Sequence, residues 1–181
     1  MIVCLGWGSL IWNPKDLPVD EWHSDGPEFP VEFARISKGG RLTLVVAVSA
    51  AQLPVLWTRL SVGSLDDAVS ALADREEIKP ENVRYSIGVW SPARSSRHKQ
   101  AETVGTWAAA QGIEAVVWTA LKPGFPESRG VVPSRDQALD HLRGLNAEAT
   151  ADAEEYVRLT PVQISTAYRT AIEQVFGWTP L

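Results

Sequence analysis

Cysteine and histidine are scarce in this sequence, which restricts the kinds of site that the chain can build. Cys4 is the single cysteine among 181 residues, so no internal disulfide can form. The three histidines are His23, His98 and His141, and their spacing matches no zinc motif. The sequence also lacks a Walker loop, a dinucleotide-binding glycine motif and a His-Glu-x-x-His pair. We therefore expect neither a metal nor a cofactor.

Positive charge and long apolar runs are also lacking. Lysine and arginine number 17 against 22 acidic residues, and the resulting net charge of -5 argues against nucleic acid as a partner. No apolar run reaches the ~20 residues of a membrane span, and no basic leader precedes the apolar residues 1–12. We expect one soluble, cytoplasmic domain over residues 1–181 with no membrane partner, and no pattern indicates its oligomeric state.

A glycine-rich segment follows the first apolar strand, which is predicted over residues 2–5. Two glycines flank a tryptophan in the run Gly6-Trp7-Gly8-Ser9-Leu10. Glycine adopts backbone angles closed to other residues and lets a ligand approach the main chain. The amides near Gly8, Ser9 and Leu10 are therefore candidates for binding a carboxylate or a developing oxyanion. The alternative is a tight structural turn in which Trp7 fills the core.

The rest of the pattern alternates strands and helices, as in a mixed α/β fold. Strands are predicted over residues 30–36, 41–48, 55–60, 84–90 and 114–120, with a hairpin turn at Lys38-Gly39-Gly40. Helices are predicted over residues 64–77 and 96–111, from Ser134 onward, over 148–156 at the surface, and from Thr160-Pro161 to the end. On the last of these, Tyr168 is expected to face inward, either as a packing residue or as a substrate contact.

Glu76 occupies an unusual position on the predicted helix 64–77. Its neighbours along one face are apolar, at Leu65, Val69 and Leu72. Burial and the C-terminal end of the helix dipole both disfavour a charged carboxylate there, which suits a residue that accepts and returns a proton. The alternative is that Glu76 reaches solvent or pairs with Arg75 or Lys79.

Several segments together resemble the γ-glutamyl cyclotransferase superfamily, and its ChaC-type branch most closely. The family's Tyr-Gly-Ser-Leu loop and its Trp-Asn-Pro continuation are similar to the run Trp7-Gly8-Ser9-Leu10-Ile11-Trp12-Asn13-Pro14. Residues 40–45 resemble its Gly-Arg-x-x-Thr-Leu-Val strand, Arg35 falls where the preceding strand carries arginine, and residues 55–60 match its next strand. The helix ending at Glu76 resembles the family's helix ending in Arg-Glu. The resemblance covers roughly residues 1–90.

The resemblance implies a compact fold with a small mixed β-barrel flanked by helices, in which the glycine loop and Glu76 meet at one cavity. It also implies an intramolecular reaction, in which the α-amine of a γ-glutamyl group attacks its own γ-carbonyl. The products are 5-oxoproline and the released amine or peptide. By position, Glu76 takes the role of the catalytic acid/base, and the amides of Gly8, Ser9 and Leu10 hold the substrate. This chemistry requires no metal or cofactor.

One departure from the family concerns Trp7, which stands where the family carries tyrosine. The exchange removes a hydroxyl and adds bulk, so a substrate contact is lost or is supplied by Tyr168 or Tyr85. Two further hypotheses follow. The chain is either a catalytically inactive protein that binds a small acid or a partner in the same cavity, or an unrelated hydrolase that uses Ser9, which lacks an evident histidine partner.

Overall fold

The computed structural model describes all residues from Met1 to Leu181, and the chain forms two compact units. The first unit consists of three segments, Met1–Gly6, Asn13–Phe29 and Pro54–Leu121. The second consists of Trp7–Trp12, Pro30–Leu53 and Lys122–Leu181. The chain therefore leaves the first unit after β1 and re-enters it at Asn13. Residues 7–12, which we call the glycine loop, belong to the second unit.

Ten strands and six helices confirm the mixed α/β class. The strands are β1 (Ile2–Gly6), β2 (Val19–His23), β3 (Glu28–Phe29), β4 (Val31–Ile36), β5 (Leu42–Val46), β6 (Leu53–Pro54), β7 (Leu56–Leu60), β8 (Ile87–Ser91), β9 (Arg94–Ser95) and β10 (Ala115–Thr119). The helices are α1 (Leu65–Arg75), α2 (Val83–Ser86), α3 (Ala101–Ala110), α4 (Arg135–Arg143), α5 (Ala147–Leu159) and α6 (Ala167–Phe176). No helix combines the length and hydrophobicity that a bilayer crossing requires.

A six-stranded mixed sheet forms the framework of the first unit. Its strand order is β2-β7-β1-β10-β8-β9, in which β1 and β10 are parallel and every other pair is antiparallel. Helices α1 and α3 pack against β8 and β10. The two central strands are almost wholly apolar, because both of their faces are covered.

The sheet of the first unit is open, with β2 and β9 at its two edges. The expected small β-barrel is therefore wrong for this sheet. Closure of a barrel requires the first and last strands to pair, and here β9 pairs through two residues with β8 alone. The barrel was expected from the family resemblance alone, because no periodicity in the sequence distinguishes a closed sheet from an open one.

The second unit contains the β4–β5 hairpin and the helices α4, α5 and α6. The hairpin turn lies at Lys38–Gly40, where Gly39 and Gly40 take φ angles of 76° and 83°, as the glycine pair predicted. Helix α6 packs against β4 and α4. Its first turn is held by Glu32, a buried residue of β4 that accepts hydrogen bonds from the Thr166 hydroxyl and the Tyr168 amide.

Four predicted elements differ from the structure. The helix predicted from residue 96 begins only at Ala101, beyond the short strand β9. Residues 84–86 belong to the short helix α2, so the strand predicted from Arg84 begins only at Ile87. The last helix begins after Thr166, whose side chain caps it, and the predicted start at Thr160 is wrong. Helix α5 is amphipathic and contributes core residues, so it is not a surface helix. Its buried side chains are Ala153, Tyr156 and Val157.

Candidate functional site

The glycine loop is a tight, mostly buried turn. The amide of Ile11 donates to the carbonyl of Gly8 at 2.9 Å, which closes the turn. Trp7 is 3% exposed and Leu10 is 5% exposed, whereas Ser9 is partly accessible. Neither Gly6 nor Gly8 takes a positive φ, so the expectation that these glycines adopt backbone angles closed to other residues is wrong.

Gly8 is instead required by a close approach. A Cβ atom at this position would overlap the hydroxyl oxygen of Tyr156. Tyr156 lies on α5, is 5% exposed, and accepts a hydrogen bond from the Leu44 amide at 3.3 Å. The ring of Trp12 packs edge-on against the Tyr156 ring, with 5.3 Å between the ring centroids. A tyrosine that the sequence analysis did not single out therefore supports the loop.

Arg41 lies on the same tyrosine ring. Its guanidinium carbon is 5.2 Å from the centroid of the Tyr156 ring, within the range of a cation–π contact. The backbone of Arg41 is fixed at the neck of the hairpin, where its carbonyl accepts from the amide of Ser37 at 2.8 Å. The second unit thus gathers Gly8, Trp12, Arg41 and Tyr156 into one cluster.

Glu76 ends helix α1 in the first unit. Its amide still donates to Leu72, and the following two amides donate back to the carbonyls of Asp74 and Ala73. This pattern is a Schellman motif, which normally places glycine in the left-handed position. Here the position is held by Glu77 at a φ of 54°. The helix end that carries Glu76 is therefore fixed by its backbone, at some cost in strain.

The carboxylate of Glu76 is paired. Arg75 donates to it at 2.5 Å, and the side chains of Glu76 and Arg75 are only 16% and 8% exposed. The interpretation of Glu76 as an unpaired carboxylate on an apolar face is wrong, and its pairing with Arg75, the alternative drawn from the sequence, is confirmed. A charge-assisted hydrogen bond of this kind orients the carboxylate.

Arg75 anchors the same helix end to the chain segment that follows the glycine loop. Arg75 also donates to the carbonyl of Asn13 at 2.6 Å, where the chain re-enters the first unit. On the other side, burial raises the pKa of the Cys4 thiol, and the nearby Glu76 carboxylate raises it further while Arg75 opposes the rise. Cys4 lies on β1, directly before the loop. Glu76 is thus held near β1 and Arg75 at Asn13, all within the first unit.

Tyr168 and Tyr85, the two residues considered as replacements for the missing family tyrosine, occupy different settings. Tyr168 is partly buried and its hydroxyl donates to the carbonyl of Pro133 at 2.8 Å. Burial and the charge of Glu32 raise the pKa of Tyr168. Tyr85 is 53% exposed on the first unit. The hydroxyl of Tyr168 is therefore engaged in packing, the first of the two interpretations drawn from the sequence.

No group of three or more His, Cys, Asp or Glu side chains in residues 1–181 is arranged to hold a metal ion. Comparison with known proteins adds no further assignment, since no family model, no curated protein and no solved structure matches the chain.

Proposed function

We propose that this protein is a γ-glutamyl cyclotransferase-like enzyme. It would convert a γ-glutamyl amide or peptide to 5-oxoproline, release the attached amine, and adopt a variant of the fold of that family. The observation that supports this proposal best is that Arg75, which pairs with the Glu76 carboxylate, also anchors this helix end to Asn13, directly after the glycine loop. A glutamate that served only solubility would be exposed to solvent. The Glu76 carboxylate is instead paired and mostly buried at the end of α1.

In the proposed reaction, the bound γ-glutamyl group folds back so that its α-amine attacks its own γ-carbonyl. A carbon–nitrogen bond forms in the new ring, and the original amide bond breaks. Glu76 accepts the proton that the α-amine loses and returns it to the departing nitrogen. Amides of the glycine loop stabilise the oxyanion that develops on the γ-carbonyl oxygen. Arg75 keeps the Glu76 carboxylate in one orientation, which lowers the cost of positioning it.

The test is the formation of 5-oxoproline from γ-glutamyl dipeptides, γ-glutamyl amines and glutathione. We expect the wild type to release 5-oxoproline and amine from at least one of these, and Glu76→Gln to be slower by about 100-fold or more, as is typical for loss of a general acid/base. Absence of 5-oxoproline with every substrate would contradict the proposal. Full activity of Glu76→Gln would contradict the role of Glu76.

A second candidate function is an inactive protein that binds a small acid in the same place. The observation that favours it is Trp7, which is 3% exposed and brings no hydroxyl where the family carries tyrosine. If the wild type forms no product and Trp7→Tyr does, the inactive alternative is supported.

A further inference from the structure

Arg41 is a cation without an anionic partner. Its side-chain Nε is buried and has no hydrogen-bond partner. Within residues 1–181, the guanidinium makes no hydrogen bond and no ion pair. It lies over the aromatic ring of Tyr156. In a chain with a net charge of -5, a partly buried arginine that no carboxylate neutralises is unusual.

Only the Nε of this guanidinium is both buried and unbonded, whereas its two terminal nitrogens are accessible. A buried N–H group without an acceptor is unfavourable, and accessible N–H groups are free to bind a ligand. A cation–π contact compensates for part of the charge, but it leaves the N–H groups in the guanidinium plane unbonded. Arg129, also in the second unit, shows the usual solution, since it donates to the carbonyls of Gly124 and Ile36. Arg41 is half-buried and has no such acceptor.

Unused donors also lie close to Arg41 in the second unit. Tyr156, on which the guanidinium rests, places its hydroxyl against Gly8 of the glycine loop. The amides of Gly8 and Leu10 donate to no acceptor within residues 1–181, although both residues are buried. Unbonded N–H groups on a half-buried cation and on neighbouring backbone amides are suited to an anionic ligand.

We infer that Arg41 binds a carboxylate of the ligand, with Tyr156 as the platform that holds the guanidinium in place. The assignment of this group as the α-carboxylate of a γ-glutamyl substrate rests on the proposed function. With Arg41 in this role, the loop amides no longer have to bind both the α-carboxylate and the developing oxyanion. Arg41 binds the α-carboxylate, while the amides of the loop remain available for the oxyanion on the γ-carbonyl. Arg41 is then a specificity residue for substrates that carry a free α-carboxylate.

The experiment compares two probes that differ only in this group, 5-oxo-L-proline and 5-oxo-L-prolinamide. Isothermal titration calorimetry measures the affinity of each probe for the full chain. We expect the wild type to bind the acid about tenfold or more tightly than the amide, as a charge-assisted hydrogen bond allows. Arg41→Met should bind both probes with the weak affinity of the amide, and Arg41→Lys should retain part of the preference.

Two controls separate binding from structure. Arg143→Met removes an exposed arginine of the same unit that pairs with Asp140, and it should keep the wild-type preference. Without ligand, Arg41→Met should melt close to the wild-type temperature, because the guanidinium makes no hydrogen bond that the variant could lose and its cation–π contact with Tyr156 is weak. A clearly lower Tm would indicate a structural role and would overturn the inference.

The outcomes also distinguish this inference from the proposed function. Binding of a product does not require turnover, so a wild type that prefers the acid through Arg41 but forms no 5-oxoproline supports the inference and contradicts the enzymatic proposal. Conversely, an active wild type whose affinity for the acid is unchanged in Arg41→Met supports the enzyme and overturns the inference. Equal affinity of the wild type for acid and amide, or binding of neither, also overturns it.

Discussion

Arg169 and Arg41 lie in the same unit and have opposite environments. Arg169 is 2% exposed, and its guanidinium donates to Glu173 at 3.0 Å and to the carbonyls of Thr160, Pro161 and Ile164 at 2.8, 2.6 and 3.2 Å. It ties the segment before α6 to the helix itself. Arg41 has no such acceptor. Arg169 is buried and the fold supplies its acceptors, whereas Arg41 is half-buried and the fold supplies none.

The difference shows how a structural charge can be distinguished from one that awaits a ligand. A buried ion whose donors are all used stabilises the fold only as long as its partners remain, so its removal is severe. A buried ion without partners contributes little to the fold, so its removal should affect binding and spare stability. Glu76 lies between these cases, because it has one strong partner in Arg75 and retains a second carboxylate oxygen.

The largest expected effect concerns Arg169. Arg169→Met should lower the free energy of unfolding by about 3 kcal/mol or more, because several buried carbonyls and the Glu173 carboxylate lose their donor. Arg41→Met, measured by the same urea titration, should change it by no more than about 1 kcal/mol, the size of the cation–π contact that it loses. Equal losses in the two variants would remove the distinction between the two arginines.

A smaller effect is expected where the glycine loop meets Tyr156. Gly8→Ala should destabilise the protein by about 1–3 kcal/mol, because the added methyl group overlaps the tyrosine hydroxyl. Tyr156→Phe removes that hydroxyl, so the penalty of Gly8→Ala should be smaller in the Phe background than in the wild type. Urea unfolding of the four proteins in this cycle measures the coupling. If the effects of Gly8→Ala and Tyr156→Phe on the free energy of unfolding simply add, the close approach to the Tyr156 hydroxyl is not the reason for glycine at position 8.

The smallest expected effect is a pH dependence that originates at Glu32. Burial raises the pKa of Glu32, although hydrogen bonds from the Thr166 hydroxyl and from backbone amides oppose the rise. The folded state therefore holds this proton more tightly than the unfolded chain does. The resulting stability is fully present below the unfolded pKa of about 4.5 and is lost as the pH rises through the folded value.

The measurement is the thermal midpoint of the wild type and of Glu32→Gln between pH 4 and about 7, since glutamine cannot ionise. The wild type should lose stability relative to Glu32→Gln as the pH rises through this range. A difference between the two that does not change with pH would contradict ionisation of Glu32 as its source.

Local signals in the sequence predicted much of the fold. Ser64 and Ser134 cap α1 and α4, where helices were predicted to begin, and Gly39-Gly40 forms the predicted turn. The last helix was misplaced because Thr160-Pro161 is as good a start signal as Thr166. Tertiary hydrogen bonds decide between them, from the Thr166 hydroxyl to Glu32 and from Arg169 to the carbonyl of Thr160, and no local pattern contains these bonds.

The candidate site was predicted less completely. The run ending in Arg-Glu and the glycine loop were both evident, but Tyr156 was hidden in an acidic segment that suggested a surface helix. Its spacing from Ala153, with Val157 directly after it, is the apolar i, i+3, i+4 pattern that could have revealed it. Arg41 could not have been singled out, because a missing partner is visible only in three dimensions.

The most direct test of the central claim is the turnover number for 5-oxoproline formation, measured for wild type, Glu76→Gln and Glu77→Gln on the best γ-glutamyl substrate. Glu77 is the adjacent, exposed glutamate that pairs with Lys15, so its variant controls for the loss of a negative charge at the helix end. We predict equimolar 5-oxoproline and amine from the wild type, a loss of about 100-fold or more for Glu76→Gln, and nearly wild-type turnover for Glu77→Gln. Equal turnover in all three proteins, or no 5-oxoproline from the wild type, would contradict the account.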